Sequence, residues 1–178
     1  MPFFFLPDRY YILLVIPALL IAVWAQMKVK SAFAQYSRMP VRSGLTGAQV
    51  ARHILDQNGL QNVRIEPVKG NLSDHYDPTT RVVRLSADVY FQSTVAAVGV
   101  AAHETGHAVQ HAAGYFPLKL RNAIIPVTNV GSSLSIPLVL IGLLMSWQPL
   151  VNFGILLFGL VTVFQLVTLP VEFNASRR

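Results

Sequence analysis

The sequence predicts a mainly α membrane protein, with about three transmembrane helices and an α+β domain that contains a short antiparallel sheet. Of its 178 residues, 53% are hydrophobic and 12% are charged, whereas about a quarter of a typical soluble domain is charged. The mean hydropathy is +0.47. The apolar residues concentrate in two regions, residues 10–27 and 122–171, and the charged residues lie mostly between them.

The first apolar region predicts an N-terminal transmembrane anchor over residues 1–27. Residues 10–27 contain no charge, and this length is about what a helix needs to cross the hydrocarbon core. A cleaved signal peptide is the alternative, because Ala32–Ala34 resembles a cleavage site. Lys28 and Lys30 intervene before that site, and the apolar stretch is long. Both features favour a retained anchor.

The second apolar region predicts a transmembrane hairpin over residues 123–171. No charged residue occurs between Asn122 and Val171. A single span needs about 20 residues, so this stretch is long enough for two helices and a turn. Trp147-Gln148-Pro149 is the predicted turn, since tryptophan favours the membrane interface.

The distribution of basic residues predicts how the chain is oriented. Basic residues follow the first span and flank the hairpin at both ends: Lys28, Lys30, Arg38, Arg42, Lys119, Arg121, Arg177 and Arg178. By the positive-inside rule the N-terminus faces outward and residues 28–122 form a cytoplasmic domain. The net charge of +6 is scattered, so the lipid bilayer is the predicted partner and nucleic acid is not.

The domain between the spans combines helices and short strands. A capped helix is predicted over residues 44–60, from Thr46 as N-cap to Gly59 as terminator. Strands are predicted at 63–68 and 81–86, the second after an Asp77-Pro78 turn. An alanine-rich helix is predicted from residue 93 to about residue 115.

That last helix contains the motif His103-Glu104-Thr105-Gly106-His107. Histidines four residues apart lie on one face of a helix and can bind one Zn²⁺ ion. The adjacent Glu104 can take a proton from a metal-bound water, and is therefore the predicted catalytic base. The chain has no cysteine, so a third metal ligand must come from His, Asp or Glu.

The residues alone leave the third ligand open. His111 lies two turns beyond His103, which is about 12 Å along a straight helix and too far for the same ion. We therefore interpret His111 as a residue that borders the cleft. Glu172 is the first charge after the hairpin, and a carboxylate at a membrane edge is unfavourable unless paired or coordinated. A metal ligand and an ordinary interfacial ion pair with Arg177 or Arg178 are equally compatible with that position.

Several blocks of the chain resemble one known family. They are WAQMKVKSAF, SGLTGAQVARHIL, NLSDHYDPTTRVVRLSADVY, VAAVGVAAHETGHAVQHAAGY and VTLPVEFNASRR. Together they resemble the membrane-bound neutral zinc metallopeptidases of the YugP type, nearly end to end. The resemblance implies a zincin-like domain, a Zn²⁺ cofactor and a place in the plasma (inner) membrane of a prokaryote.

The chain is also distantly similar to the HtpX-like and CAAX-prenyl gluzincin endopeptidases. Their third zinc ligand is the glutamate of a Glu-Phe/Tyr-x-Ala-Asp segment after a transmembrane hairpin. Residues 172–178 hold the matching segment, Glu172-Phe173-Asn174-Ala175-Ser176. The similarity implies that Glu172 is a zinc ligand. Ser176 replaces the aspartate that orients a ligand histidine in those relatives, so that role is open here.

The same similarity suggests which residues bind the substrate. In such relatives an extended strand before the metal-binding helix pairs with the substrate backbone. Residues 71–77 occupy that place, so His75 and Tyr76 are candidate substrate-binding residues together with His111. Stabilisation of a hairpin is an equal alternative for His75 and Tyr76.

The resemblance also leads us to expect further residues after Arg178.

The leading functional hypothesis is a membrane-bound zinc endopeptidase that cleaves membrane or juxtamembrane proteins. Two alternatives remain. An intramembrane, site-2-type metalloprotease would require the metal-binding helix to lie within the bilayer. A catalytically silent zinc-binding scaffold would not need Glu104, whose presence argues for catalysis.

Overall fold

The computed structural model describes residues 12–13 and 16–178. In this part of the chain seven helices and three strands follow one another. Their bounds are α1 (Ile16–Tyr36), α2 (Gly47–Gln57), β1 (Arg64–Val68), β2 (His75–Asp77), β3 (Val82–Ser86), α3 (Ala87–Tyr90), α4 (Val95–Ala112), α5 (Phe116–Leu144), α6 (Gln148–Leu166) and α7 (Thr168–Ala175).

Three helical segments are long and apolar enough to cross a membrane, as the sequence predicts. They are α1, α5 and the nearly continuous pair α6–α7. The helix α1 continues to Tyr36, beyond the predicted end of the anchor, and so includes Lys28 and Lys30. The part of the predicted anchor before Ile16 lies outside the described residues, except for residues 12–13.

The hairpin of α5 and α6 packs through small residues. A Cβ atom on Gly154 would lie 2.9 Å from the carbonyl oxygen of Ser135, and one on Gly142 would lie 2.8 Å from the backbone nitrogen of Val151. Glycine at these positions therefore allows the two backbones to approach closely, as is common between membrane helices. The turn lies at residues 145–147, with Ser146 at φ 52°. It begins two residues before the predicted Trp147–Pro149 turn, because Gln148 and Pro149 already form the first turn of α6.

The helix α5 begins earlier than the predicted hairpin. It starts at Phe116, with Pro117 in its first turn, where a proline's fixed φ favours helix initiation. As a result Arg121 lies on the helix itself and not in a loop before it. This placement directs the start of α5 toward the domain.

The sheet differs from the prediction of a short antiparallel sheet. Its strand order is β1-β3-β2, with β1 parallel to β3 and β2 antiparallel to β3. The sheet is mixed because the segment after β1 crosses to the far side of β3 before β2 begins. The antiparallel prediction is therefore correct for the β2–β3 hairpin and wrong for the β1–β3 pair.

The core of the domain holds α4 against α2 and β3. Leu55, Val83, Leu85, Val89 and Ala101 are fully buried in one cluster. The predicted cap of α2 is confirmed: the Thr46 hydroxyl accepts from the backbone of the third helical residue, Gln49, whose side chain accepts from the Thr46 backbone. The His103–His107 motif thus lies on a helix that is held in place by burial of apolar side chains.

The turn between β2 and β3 depends on Asp77. Its carboxylate accepts hydrogen bonds from the Thr80 hydroxyl (2.6 Å) and from Arg84 (2.9 Å), and from the backbone N–H groups of Thr79 and Thr80. These bonds, with that from Thr80 the strongest, hold the pKa of Asp77 well below its usual range. A depressed pKa means that the folded state favours the ionised carboxylate.

We predict that Asp77 stabilises the fold at neutral pH and not in strong acid. Because the folded-state pKa is depressed, the contribution is present above the ordinary aspartate pKa of about 3.9 and is lost as the pH falls below it. Asp77→Asn should therefore lower the melting temperature in detergent at pH 7. The difference from wild type should shrink progressively below about pH 4.

Asp56→Asn is the matched control, because Asp56 forms one exposed ion pair with Arg52 on α2. Exposed pairs of this kind contribute little, so its effect should be small at either pH. A melting-temperature difference for Asp77→Asn that stays constant from pH 7 to pH 3 would contradict the assigned role.

Candidate metal centre

The helix α4 brings two histidine rings together. The Thr94 side chain caps its N-terminus, and the motif follows two turns later. The ring centroids of His103 and His107 lie 4.9 Å apart. His103 is partly exposed and His107 is buried, and both side chains line one cleft.

The helix α7 adds a carboxylate to this pair. The Glu172 Oε2 atom lies 3.1 Å from His103 Nε2 and 3.4 Å from His107 Nε2. In the described part of the chain, His103, His107 and Glu172 form a group whose ligand atoms lie within 4.8 Å of one another. The structure thus brings Glu172 to the two histidines, as the similarity to gluzincins implies.

These separations suit a tetrahedral metal. Zinc binds nitrogen and carboxylate oxygen at about 2.0–2.2 Å, so two tetrahedral ligands lie about 3.3 Å apart. The two Nε2–Oε2 distances are close to that value. An uncharged imidazole nitrogen and a carboxylate oxygen both present lone pairs, and a cation between them makes their approach favourable.

Each histidine has a hydrogen-bond partner on its other ring nitrogen. His103 Nδ1 lies 2.9 Å from the Ser176 hydroxyl, and His107 Nδ1 lies 3.0 Å from Gln110 Oε1. Such partners fix the ring orientation of metal-binding histidines. Ser176, where the similarity to gluzincins implies an aspartate, thus contacts His103 through its hydroxyl.

Glu104 lines the same cleft as His103, His107 and Glu172. Burial raises the pKa of its carboxyl group, while the nearby imidazoles of His107 and His103 oppose that rise. The cleft has a volume of about 230 Å³ and lies between β2, α4, α5 and α7. Its lining includes Asp74, His75, Tyr76, Pro78, His103, Glu104, His107, Leu118, Arg121, Asn122 and Glu172.

Gly106 allows α4 and α7 to approach closely enough to bring His103, His107 and Glu172 together. A Cβ atom on Gly106 would collide with the carbonyl oxygen of Ala175 and would lie 3.2 Å from its Cα. Only glycine fits here without displacing the α7 backbone. Gly106 thus has a role in packing α4 against α7, although the His-Glu-x-x-His motif does not require glycine at this position.

Comparison with known proteins agrees with this geometry. The family model described as "Putative neutral zinc metallopeptidase" matches residues 11–178. The chain belongs to this zinc metallopeptidase family. It is also 53% identical, over 168 residues, to the "Putative membrane protease YugP" of Bacillus subtilis (strain 168), an alignment that covers 94% of this chain and 75% of that protein. No solved structure gives a significant match.

Two of the three predicted substrate-binding residues line the cleft of this metallopeptidase. His75 and Tyr76 lie on β2 at its edge. His111 does not: it lines a neighbouring cavity of about 290 Å³ with Arg81 and Val63. Tyr76 separates the two spaces, since its hydroxyl oxygen is 2.9 Å from His111 Nδ1. His111 therefore contacts a cleft residue without reaching the cleft itself.

Sequence reasoning missed three polar residues around the metal ligands. Arg121 lies 3.6 Å from Glu172 Oε1, although its sequence position indicated only a charge at a membrane boundary. Asp74 lines the cleft and accepts hydrogen bonds from the backbone and hydroxyl of Ser86. Gln110 contacts His107, and its only signal in the sequence is a polar side chain within an alanine-rich helix.

We predict that Gly106→Ala weakens metal binding by separating α7 from α4. The added methyl group displaces Ala175, and with it the Glu172 carboxylate on the preceding turn. Loss of one ligand from a three-ligand site should reduce zinc affinity by about tenfold or more, the scale on which metal sites respond to lost partners. Chelator competition with purified protein in detergent measures this affinity.

Gly99→Ala is the matched control on the same helix, because a Cβ atom on Gly99 meets nothing within 4 Å. It should keep wild-type zinc affinity. Equal affinities for the Gly106 and Gly99 variants would show that the close approach of the two helices does not position the site.

Proposed function

We propose that this protein is a membrane-bound endopeptidase that uses Zn²⁺, held by His103, His107 and Glu172, to hydrolyse peptide bonds. The observation that supports this most directly is the convergence of the three ligand atoms beside Glu104 in one cleft. A bound zinc ion would polarise the scissile carbonyl and lower the pKa of a water molecule.

In this proposal Glu104 moves the protons of the reaction. Its carboxylate takes a proton from the attacking water and delivers it to the leaving amine nitrogen. A raised pKa suits this task, since a base whose pKa lies nearer the working pH can both accept and release a proton. The two histidines and Glu172 remain ligands throughout.

The strand β2 is the proposed binding edge for the peptide. It is the last strand in the order β1-β3-β2, so one of its backbone edges pairs with β3 and the other borders the cleft. An extended substrate can add to such an edge through main-chain hydrogen bonds. His75 and Tyr76 would then contact substrate side chains, and the short strand would favour a short recognised segment.

The location of the site suggests membrane or juxtamembrane proteins as substrates. Glu172 and Arg121 both lie on helices that belong to membrane-crossing segments, near the end of one and the start of the other. A cleft built there lies close to the bilayer surface. The basic residues around it support a cytoplasmic domain, an outward N-terminus and a plasma-membrane location by the positive-inside rule.

An aqueous site is favoured over an intramembrane one. The helix α4 is not among the three segments that are apolar enough to span a bilayer. Its apolar face is already buried against the domain core, where Ala101 and Ala108 pack with Leu55 and Val83. The intramembrane alternative would require this domain core to enter lipid together with α4.

We predict that Glu104→Gln abolishes proteolysis and retains zinc. Glutamine preserves the size of the side chain but cannot take a proton, so the cleavage rate should fall by at least about 100-fold, the contribution of a general base. Zinc content and peptide cleavage are measured on the same preparation. Glu66→Gln, in the sheet away from the cleft, is the control and should cleave at the wild-type rate.

This pair of measurements also separates catalysis from a scaffold role. If the protein were a scaffold, wild type and Glu104→Gln would both bind zinc and neither would cleave a peptide. Undiminished cleavage by Glu104→Gln would instead exclude the proposed base.

We predict that Glu172→Ala loses tightly bound zinc. Two histidines on one helix are fewer ligands than a catalytic zinc site needs, so the variant should lose most of its metal during dialysis against a chelator that leaves wild type loaded. Metal analysis after dialysis tests this. Arg177→Ala, a nearby change that leaves the ligand set intact, should behave as wild type; full zinc retention by Glu172→Ala would remove that residue from the site.

A further inference from the structure

Gln110 is a fully buried polar residue on the metal-binding helix. Its side chain lies one turn after His107, with an exposed fraction of 0%. It faces α7, the helix that carries Glu172. Burying an amide is unfavourable unless its polar atoms are hydrogen-bonded, and an apolar side chain of the same size would fill the space at lower cost. The contacts of this amide therefore call for an explanation.

Two acceptors on α7 fix the orientation of the amide. Gln110 Nε2 donates to the Val171 carbonyl oxygen (2.8 Å) and to Asn174 Oδ1 (3.0 Å). A carbonyl oxygen can only accept. Asn174 Oδ1 also receives the Arg178 Nε–H (2.8 Å), and an arginine can only donate. The NH₂ group of Gln110 must therefore point toward α7.

This orientation determines the state of His107. With the NH₂ group engaged by α7, Gln110 Oε1 faces His107 Nδ1 at 3.0 Å. An amide oxygen can only accept, so Nδ1 must donate its N–H. In the neutral ring the lone pair then resides on Nε2, the atom that faces Glu172 Oε2. One amide thus places the metal-binding lone pair toward the other ligand.

We infer that Gln110 is a positioning residue that aligns both His107 and the Glu172 helix for metal binding. Its oxygen fixes the histidine, and its nitrogen binds α7 on both sides of Glu172, one residue before it and two after. Ligands from two distant parts of the chain are thereby set by a single buried group. The inference rests on the zinc site of the proposed function and does not depend on peptidase activity.

The first experiment compares Gln110→Met with Gln110→Glu. Methionine removes the acceptor and both donors at similar volume. Glutamate keeps an acceptor for His107 but has no donors for Val171 and Asn174. If Gln110 aligns both ligands, each variant should bind zinc about 10- to 100-fold more weakly than wild type, as expected when a ligand's supporting partner is lost. Wild-type affinity in Gln110→Met would overturn the inference.

A second readout uses the same protein without metal. Hydrogen exchange of the α7 backbone should be faster in both variants than in wild type, because α7 loses its bonds to α4. Unchanged α7 exchange together with weaker zinc binding would mean that Gln110 supports His107 alone, which contradicts the two-ligand role. This readout needs no zinc, so it tests the contact between Gln110 and α7 even if the wild-type protein binds no zinc. Absence of zinc binding by wild type would contradict the proposed function and leave this test of Gln110 intact.

Gln57→Met is the matched control. Gln57 also lies on a helix and contacts a histidine four residues away, His53, at 3.0 Å, but it is remote from the cleft. It should change neither zinc affinity nor α7 exchange.

Asn174→Ala provides a milder variant if Gln110→Met does not fold. It removes one of the two acceptors of Gln110 and leaves the ligands and α4 unchanged. Zinc affinity should fall by a smaller factor than in Gln110→Met, and α7 exchange should rise. Wild-type values for both quantities would contradict the inference.

Discussion

The site depends on the close packing of α7 against α4. The two histidines lie on one helix and need only its regular geometry, whereas Glu172 arrives from the far side of a membrane hairpin. Glycine at position 106 permits the approach of the Ala175 backbone, and the buried amide of Gln110 bonds across the same contact. Without this contact the chain would present two histidines and no third ligand, which is too few for a catalytic zinc site.

The hairpin of α5 and α6 leads the chain away from the domain and back to it. Its two helices are held together by glycines at close backbone contacts, and both of its ends reach the site: Arg121 at the start of α5 and Glu172 at the end of α7. The two oxygens of Glu172 face different partners. One faces the histidines and the other faces Arg121, so the carboxylate is held between the metal position and a fixed positive charge.

Much of the site could be predicted from sequence because its chemistry is local. The spacing of His103 and His107 with Glu104 between them is a property of one helix, and the alanine-rich composition of residues 93–115 predicts that helix without reference to any other element. Glu172 could not be identified as the third candidate ligand on physical grounds alone, because the sequence of residues 122–171 does not predict where the hairpin ends relative to α4. A resemblance to known proteins supplied that information.

The sequence did not predict the parallel pairing of β1 with β3 or the residues that surround the candidate ligands, and the reason is the same in both cases. Because β2 is antiparallel to β3, β1 is parallel to β3 when β2 begins at the end of the sheet where β1 finishes. No alternation pattern within a strand encodes that. Gln110 and Gly106 are likewise ordinary residues on their own helix. Their roles exist only in relation to Val171, Asn174 and Ala175, which are distant in sequence.

Assembly of the candidate metal site is consequently tied to formation of the hairpin. The domain core that holds α4 is built from α2, α3 and the sheet, all of which precede the hairpin in the chain, so α4 can be fixed without it. Glu172 can reach His103 and His107 only when α5 and α6 pair and return α7 to the domain. In the proposed zinc peptidase, the three candidate ligands would therefore come together only once the hairpin has formed, which would place the hydrolytic site next to the two helices that are apolar enough to cross a membrane.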